Sequence, residues 1–145
     1  MTVTTATGVA KASSAVLDAS AVVRALVYLH PPAVEWLDRI GAGEIDATWP
    51  ALLYVEVANA LVQLQCLRRL TAGGARTALG AALAIPARSM PLEVLVEPAS
   101  SVALARGLSA YDACYLVLAE TLDAPLVTAD TRLAAATPNA VLISG

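Results

Sequence analysis

Residues 14–30, SAVLDASAVVRALVYLH, change character at a single position. Ala15 to Leu17 form a short apolar run of strand type, and Asp18 interrupts it. From Ala19 onward apolar residues recur at helical spacing until Pro31 and Pro32 stop the pattern. A strand that passes through one acid into a helix is the opening of a β-α-β unit.

The same alternation continues along the chain. AVEWLDRIGAG (33–43) reads as a short amphipathic helix closed by glycine, and IDATWP (45–50) as a brief strand. The run after Pro50, to about Leu67, reads as helix with Pro50 suited to its first turn. TAGGARTALGAALAI (71–85) is expected as a helix that starts late because of Gly73 and Gly74. LEVLVEP (92–98) is β-rich and ASSVALARG (99–107) a short helix. A helix over Ser109–Leu122, with one face built for a core, precedes the strand PLVTAD (125–130), the helical turn TRLAAA and a last strand AVLIS (140–144). Strands alternating with helices imply right-handed crossovers and a central, mostly parallel sheet covered on both faces. The fold class is α/β. Residues 1–13, rich in Thr and Ala, read as a flexible tail, and residues 14–145 as a single domain.

Composition agrees with a compact fold: 58% of the 145 residues are hydrophobic and 14% charged. That apolar fraction exceeds what a monomer's core needs and leaves surplus for a dimer contact or a partner groove. A net charge of −3 gives no global basic field. Cys66 and Cys114 are isolated, without zinc or redox spacing, and are expected as reduced, buried thiols of a cytoplasmic protein. The N-terminus lacks the pattern of a signal peptide, and the best membrane candidate, residues 49–67, is broken by Glu56, Asn59, Gln63 and Gln65.

Four acids lie outside the ordinary charged clusters. Asp18 and Asp130 each follow an apolar strand and precede a helix, where a carboxylate can cap the helix or face the crevice at the strand ends. Asp112 stands third after Ser109, a capping-box spacing. Glu56 forms an i, i+3, i+7 polar line with Asn59 and Gln63, which either a solvated stripe or a site explains. Alternation along PLVTAD puts Thr128 on the side of Asp130, and Ser20 lies in the first helical turn after Asp18. Carboxylates sharing one crevice repel: two charges about 4 Å apart cost roughly 4 kcal/mol at an effective dielectric near 20. They either share protons or hold a cation, and all-oxygen donors favour Mg²⁺ or Mn²⁺.

AVLDASAVV, EVANAL at Glu56, LSAYDACYLVLAE and LVTADTRL together resemble the PIN-domain family, and specifically the VapC-type toxins of toxin–antitoxin pairs. The resemblance spans nearly the whole chain from Ala15, and Leu108–Leu133 is its most specific part. It implies a PIN-like three-layer α/β/α sandwich and a catalytic, metal-binding quartet of Asp18, Glu56, Asp112 and Asp130. Ser20, Asn59 and Thr128 would orient those carboxylates. The implied activity is a Mg²⁺- or Mn²⁺-dependent endoribonuclease, acting on RNA as a toxin that inhibits growth. The implied partners are a small DNA-binding antitoxin that inserts a basic side chain among the acids, and a second copy in a homodimer. Arg24, Arg68, Arg69, Arg76 and Arg106 are candidate phosphate contacts, each also explained as a solvated surface arginine. His30, beside Pro31, is expected at a helix end or on the surface. The rival expectation is a catalytically silent PIN-like module that only binds a partner.

Overall fold

A computed structural model describes residues 13–143, which contain five strands and seven helices. β1 (Ser13–Leu17) leads into α1 (Ala19–Leu26) and α2 (Pro31–Gly41). β2 (Ile45–Pro50) is followed by α3 (Leu53–Cys66) and α4 (Ala72–Ala84). After β3 (Ala87–Met90) come a single 3-10 turn, α5 (Val96–Arg106) and α6 (Ala110–Leu122). β4 (Leu126–Thr128), α7 (Thr131–Ala135) and β5 (Ala140–Leu142) complete the order. Of the expected tail, residues 1–12 lie outside the described residues, and Ser13 already opens β1.

The sheet runs β3-β2-β1-β4-β5, and every neighbouring pair is parallel. From β1 the chain steps outward to β2 and β3, then crosses back to β4 and β5. Right-handed connections therefore put α1–α4 on one face and α5–α7 on the other, the three-layer α/β/α arrangement. Packing agrees, with α2 against β2, α7 against β4 and β5, and α6 spanning β1, β2 and β4. Val16, Leu17, Trp49, Leu53, Leu116, Leu126 and Val127 fill the core with at most 1% exposure.

α6 is buried more completely than a one-faced helix. Ala113 to Ala119 are all buried, none more than 9% exposed, because the sheet holds one side and α5 covers the other. Burial of Leu116 and Leu118 contributes about 2 kcal/mol each. Gly107, at φ 68°, adopts the left-handed conformation that ends α5 and lets the chain turn at once into α6.

Four expectations need correction. LEVLVEP is not a strand: it supplies the 3-10 turn Leu92–Val94 and the start of α5. Leu92, Leu95 and Ala99 pack on the core at helical spacing, while Val94 and Val96 stay exposed. The strand in that region is β3, a polar edge strand paired on one side only, with no apolar run to announce it. Pro50 ends β2 rather than opening α3. Its missing N–H costs little there, because β1 pairs with β2 only as far as Ala47. α4 does not start late, since Thr71 Oγ1 accepts the Gly74 N–H at 2.9 Å and caps it at Ala72. Cys114 is buried as expected, but Cys66, in the last turn of α3, is exposed; both thiols are free. Among the described residues no single helix is long and apolar enough to cross a membrane.

Candidate active site

Strand order reverses between β1 and β4, and the crevice beyond their carboxyl ends is where an open α/β sheet receives ligands. Asp18 leaves β1 there, only 6% exposed. Its Oδ1 accepts the Ser20 hydroxyl at 2.7 Å and the Ala21 N–H at 3.1 Å, and its Oδ2 accepts the Thr128 hydroxyl at 2.6 Å. Thr128, fully buried at the end of β4, accepts the Asp130 N–H at 2.9 Å. The Ser20 oxygen accepts the Ala129 N–H at 2.9 Å. These bonds tie the ends of β1 and β4 together through Asp18, Ser20 and Thr128.

Asp130 is itself a cap: its Oδ1 accepts the Arg132 N–H at 2.8 Å and the Leu133 N–H at 3.4 Å. Capping and crevice are thus compatible for Asp18 and Asp130, because a residue that turns a strand into a helix must stand at the sheet edge. Asp112 lies in the first turn of α6, which Ser109 caps by accepting the Asp112 N–H at 3.1 Å. Glu56 is in the first turn of α3, part-buried, and its Oε1 accepts the Tyr115 hydroxyl at 2.5 Å. Tyr115 is 1% exposed and lies three residues after Asp112, so one helix carries an acid and a phenol into the same region.

The acids sense one another. Burial raises the Asp18 carboxyl above its ordinary range; its hydrogen bonds from Thr128, Ser20 and Ala21 oppose this, and the Asp112 charge adds to it. Glu56 is raised by burial, pulled down by the Tyr115 hydroxyl and raised again by Asp112 and Asp18. Asp112 is raised by burial and by Asp130, against Ser109 and Arg132. The Tyr115 phenol is pushed far up by burial and by Glu56, so it stays a donor. Burial and the Glu56 charge likewise keep Cys114 a thiol.

Asp18, Ser20, Thr128 and Asp130 are joined by direct hydrogen bonds, whereas Glu56 and Asp112 are linked to them through charge. Among the described residues no three His, Cys, Asp or Glu side chains come close enough to hold one metal ion directly. Asn59 is exposed one turn after Glu56 and, among the described residues, makes no hydrogen bond to a carboxylate; it lines a neighbouring cavity with Glu56, Gln63 and Tyr111. Two residues of this region were not singled out from sequence. Tyr115 reads as one more apolar position of a core helix, although its spacing from Asp112 is a usable signal. Arg132, whose charge acts on Asp112, donates to the Gly107 carbonyl at 2.9 Å and clasps the turn before α6. Arg106 is engaged elsewhere, with Glu120 at 2.8 and 3.2 Å and with the Ala136 carbonyl. His30 occupies the N-cap position of α2 without a capping bond from its ring.

Solved structures share this architecture. PAE2754 from Pyrobaculum aerophilum is 28% identical, with a TM-score of 0.70 over 90% of each chain. VapBC2 from Rickettsia felis, bound to a DNA fragment from their promoter, is 14% identical with a TM-score of 0.63, covering 90% of this chain and 98% of the other. A toxin–antitoxin complex from Klebsiella pneumoniae is 17% identical with a TM-score of 0.58, covering 88% and 95%. No curated protein matches the sequence. The family model of the PIN domain matches residues 15–137, most of the chain and all four acids, and the chain belongs to the PIN domain family.

Proposed function

We propose that this chain is a Mg²⁺- or Mn²⁺-dependent endoribonuclease, the VapC-type toxin of a toxin–antitoxin pair. What supports the reading is the charge coupling among Asp18, Glu56, Asp112 and Asp130, three of them raised above their ordinary pKa by burial and by neighbouring acids, with Asp18 and Asp130 at the ends of the two strands where the strand order reverses. Groups that disfavour their own ionisation in this way favour a cation among them.

The donor set fits a hard cation by chemistry, being all oxygen. The spacing fits a cation that keeps several of its waters, since no three acids close on one point. Asp18, Asp112, Asp130 and Glu56 would hold it, and a bound Mg²⁺ or Mn²⁺ supplies charge neutralisation at a phosphodiester and an acidified water. The chain's own groups do the orienting. Ser20 and Thr128 fix both oxygens of Asp18, and the Asp130 backbone is fixed by Thr128. Tyr115 fixes Oε1 of Glu56 and leaves Oε2 to hold the ion or to position the attacking water.

The fold shared with VapBC2 from Rickettsia felis and with the toxin–antitoxin complex from Klebsiella pneumoniae supports a cognate antitoxin as partner, and the family resemblance implies that it inserts a basic side chain among these acids. Exposed Val62, Leu67 and Leu83, on and after α3 and on α4, support a homodimer or partner surface on that layer. The second reading, a silent interaction module, draws on the finding that among the described residues no three acids are close enough for direct ligation. Incubating the purified chain with RNA separates the two. Cleavage that needs Mg²⁺ or Mn²⁺, stops in EDTA and is lost in Asp112→Asn is expected. No cleavage under any divalent ion favours the module.

A further inference from the structure

Beside the acids lies a cavity of about 470 Å³ that the hydrogen-bonded ring of Asp18, Ser20 and Thr128 does not use. One side is a stripe of α3 that begins at Glu56, passes Asn59 and ends at Gln63, about 10 Å along the helix axis. The other side is Tyr111, in the first turn of α6 immediately before Asp112 and 67% exposed. Val55, 71% exposed, borders the opening. A phosphate seated at the acids therefore has its next nucleotide within reach of this cavity.

The lining has the chemistry of a base site. An exposed tyrosine ring offers a flat face on which any unpaired base can stack. Asn59 and Gln63 each present an amide with a donor and an acceptor, and neither has a hydrogen-bond partner among the described residues. The volume falls within the range of small-molecule sites. A base inside a duplex could not lie on Tyr111, so the fitting ligand is single-stranded.

Resting on the endoribonuclease reading, we propose that this cavity is a nucleobase subsite for the nucleotide adjoining the scissile phosphate of single-stranded RNA. Tyr111 is its stacking face, and Asn59 and Gln63 read the base edge. Asn59 thereby serves the substrate rather than the carboxylates.

The test is cleavage of a single-stranded RNA of randomised sequence in Mn²⁺, with kinetics followed and the cut positions sequenced. Tyr111→Ala is expected to raise KM about tenfold, the effect falling on KM more than on kcat, and Tyr111→Phe to restore it. Asn59→Ala and Gln63→Ala are expected to flatten the base preference beside the cut. Wild-type KM and an unchanged cut pattern in Tyr111→Ala would overturn the subsite while leaving the nuclease reading intact. A wild-type chain that cuts no RNA would overturn both. Unchanged RNA kinetics together with loss of a dimer in Tyr111→Ala, seen by sedimentation, would assign this face to a second copy and also overturn the subsite.

Discussion

Replacing Tyr115 by phenylalanine removes one oxygen from a residue that is 1% exposed and leaves the packing of its ring unchanged. What is lost is the 2.5 Å hydrogen bond to Glu56 Oε1. Hydrogen bonds to charged groups contribute about 1.5–3 kcal/mol net; Glu56 is only part-buried, so water replaces some of the lost donor and the cost falls near 1.5 kcal/mol. For a chain of this size that lowers Tm by about 3–6 °C. The effect depends on pH in a definite sense. The phenol favours ionised Glu56, whose carboxyl already lies above its ordinary range and rises further in the variant. In the window between the two folded pKa values the variant binds more protons than the wild type, so the wild-type advantage shrinks as pH falls through it. Urea unfolding of both proteins across a pH series reads this directly, with equal m-values as the check on cooperativity. Under the proposed function, activity should also fall about ten- to 100-fold. An advantage of the same size at acid and neutral pH, or none at all, would refute the assignment of Tyr115 to Glu56.

Thr128→Val keeps the shape of a fully buried residue but strips Asp18 Oδ2 and the Asp130 N–H of their partner; we expect a loss of about 3 kcal/mol in urea unfolding, and less than 1 kcal/mol would show that water substitutes. Asp18, Glu56 and Asp112 have raised folded pKa values, so the folded chain binds more protons than the unfolded one as pH rises above about 4. Their contribution therefore lowers metal-free stability through that window, and Asp112→Asn should flatten part of the slope in a thermal-unfolding pH series. An unchanged slope would count against the coupling. Arg106→Ala breaks an exposed pair with Glu120 and an exposed bond to the Ala136 carbonyl and should cost under about 1 kcal/mol by the same assay; a larger loss would show that the clasp between α5, α6 and α7 contributes more than an exposed pair.

How much of this was legible in the sequence follows from which forces are local. Strands with apolar runs and helices with caps declare themselves: IDATWP matches β2 residue for residue, and Ser109, Asp18 and Asp130 announce the starts of α6, α1 and α7. β3 was invisible because an edge strand half in solvent needs no apolar pattern, and LEVLVEP misled because its valines are exposed. At the crevice, the positions of Asp18, Ser20, Thr128 and Asp130 followed from strand ends and alternation, which are short-range facts. The Glu56–Tyr115 bond joins residues 59 apart in the chain, and nothing local in either helix encodes it. Asn59 was expected beside the carboxylates, and it lines the open cavity together with Glu56; helical spacing gave its face but not that Tyr111 of α6 stands across from it.

Under the proposed function, Asp18, Glu56, Asp112 and Asp130 form a site for a divalent cation. Mn²⁺ binding, measured by electron paramagnetic resonance on the wild-type chain and on Asp112→Asn, tests it most directly. Saturable binding is expected that strengthens as pH rises, is lost or sharply weakened in Asp112→Asn with the fold intact, and stabilises the wild type by about 2.7 kcal/mol at a hundred times Kd. No saturable Mn²⁺ binding at millimolar concentration, or equal binding by the variant, would contradict it.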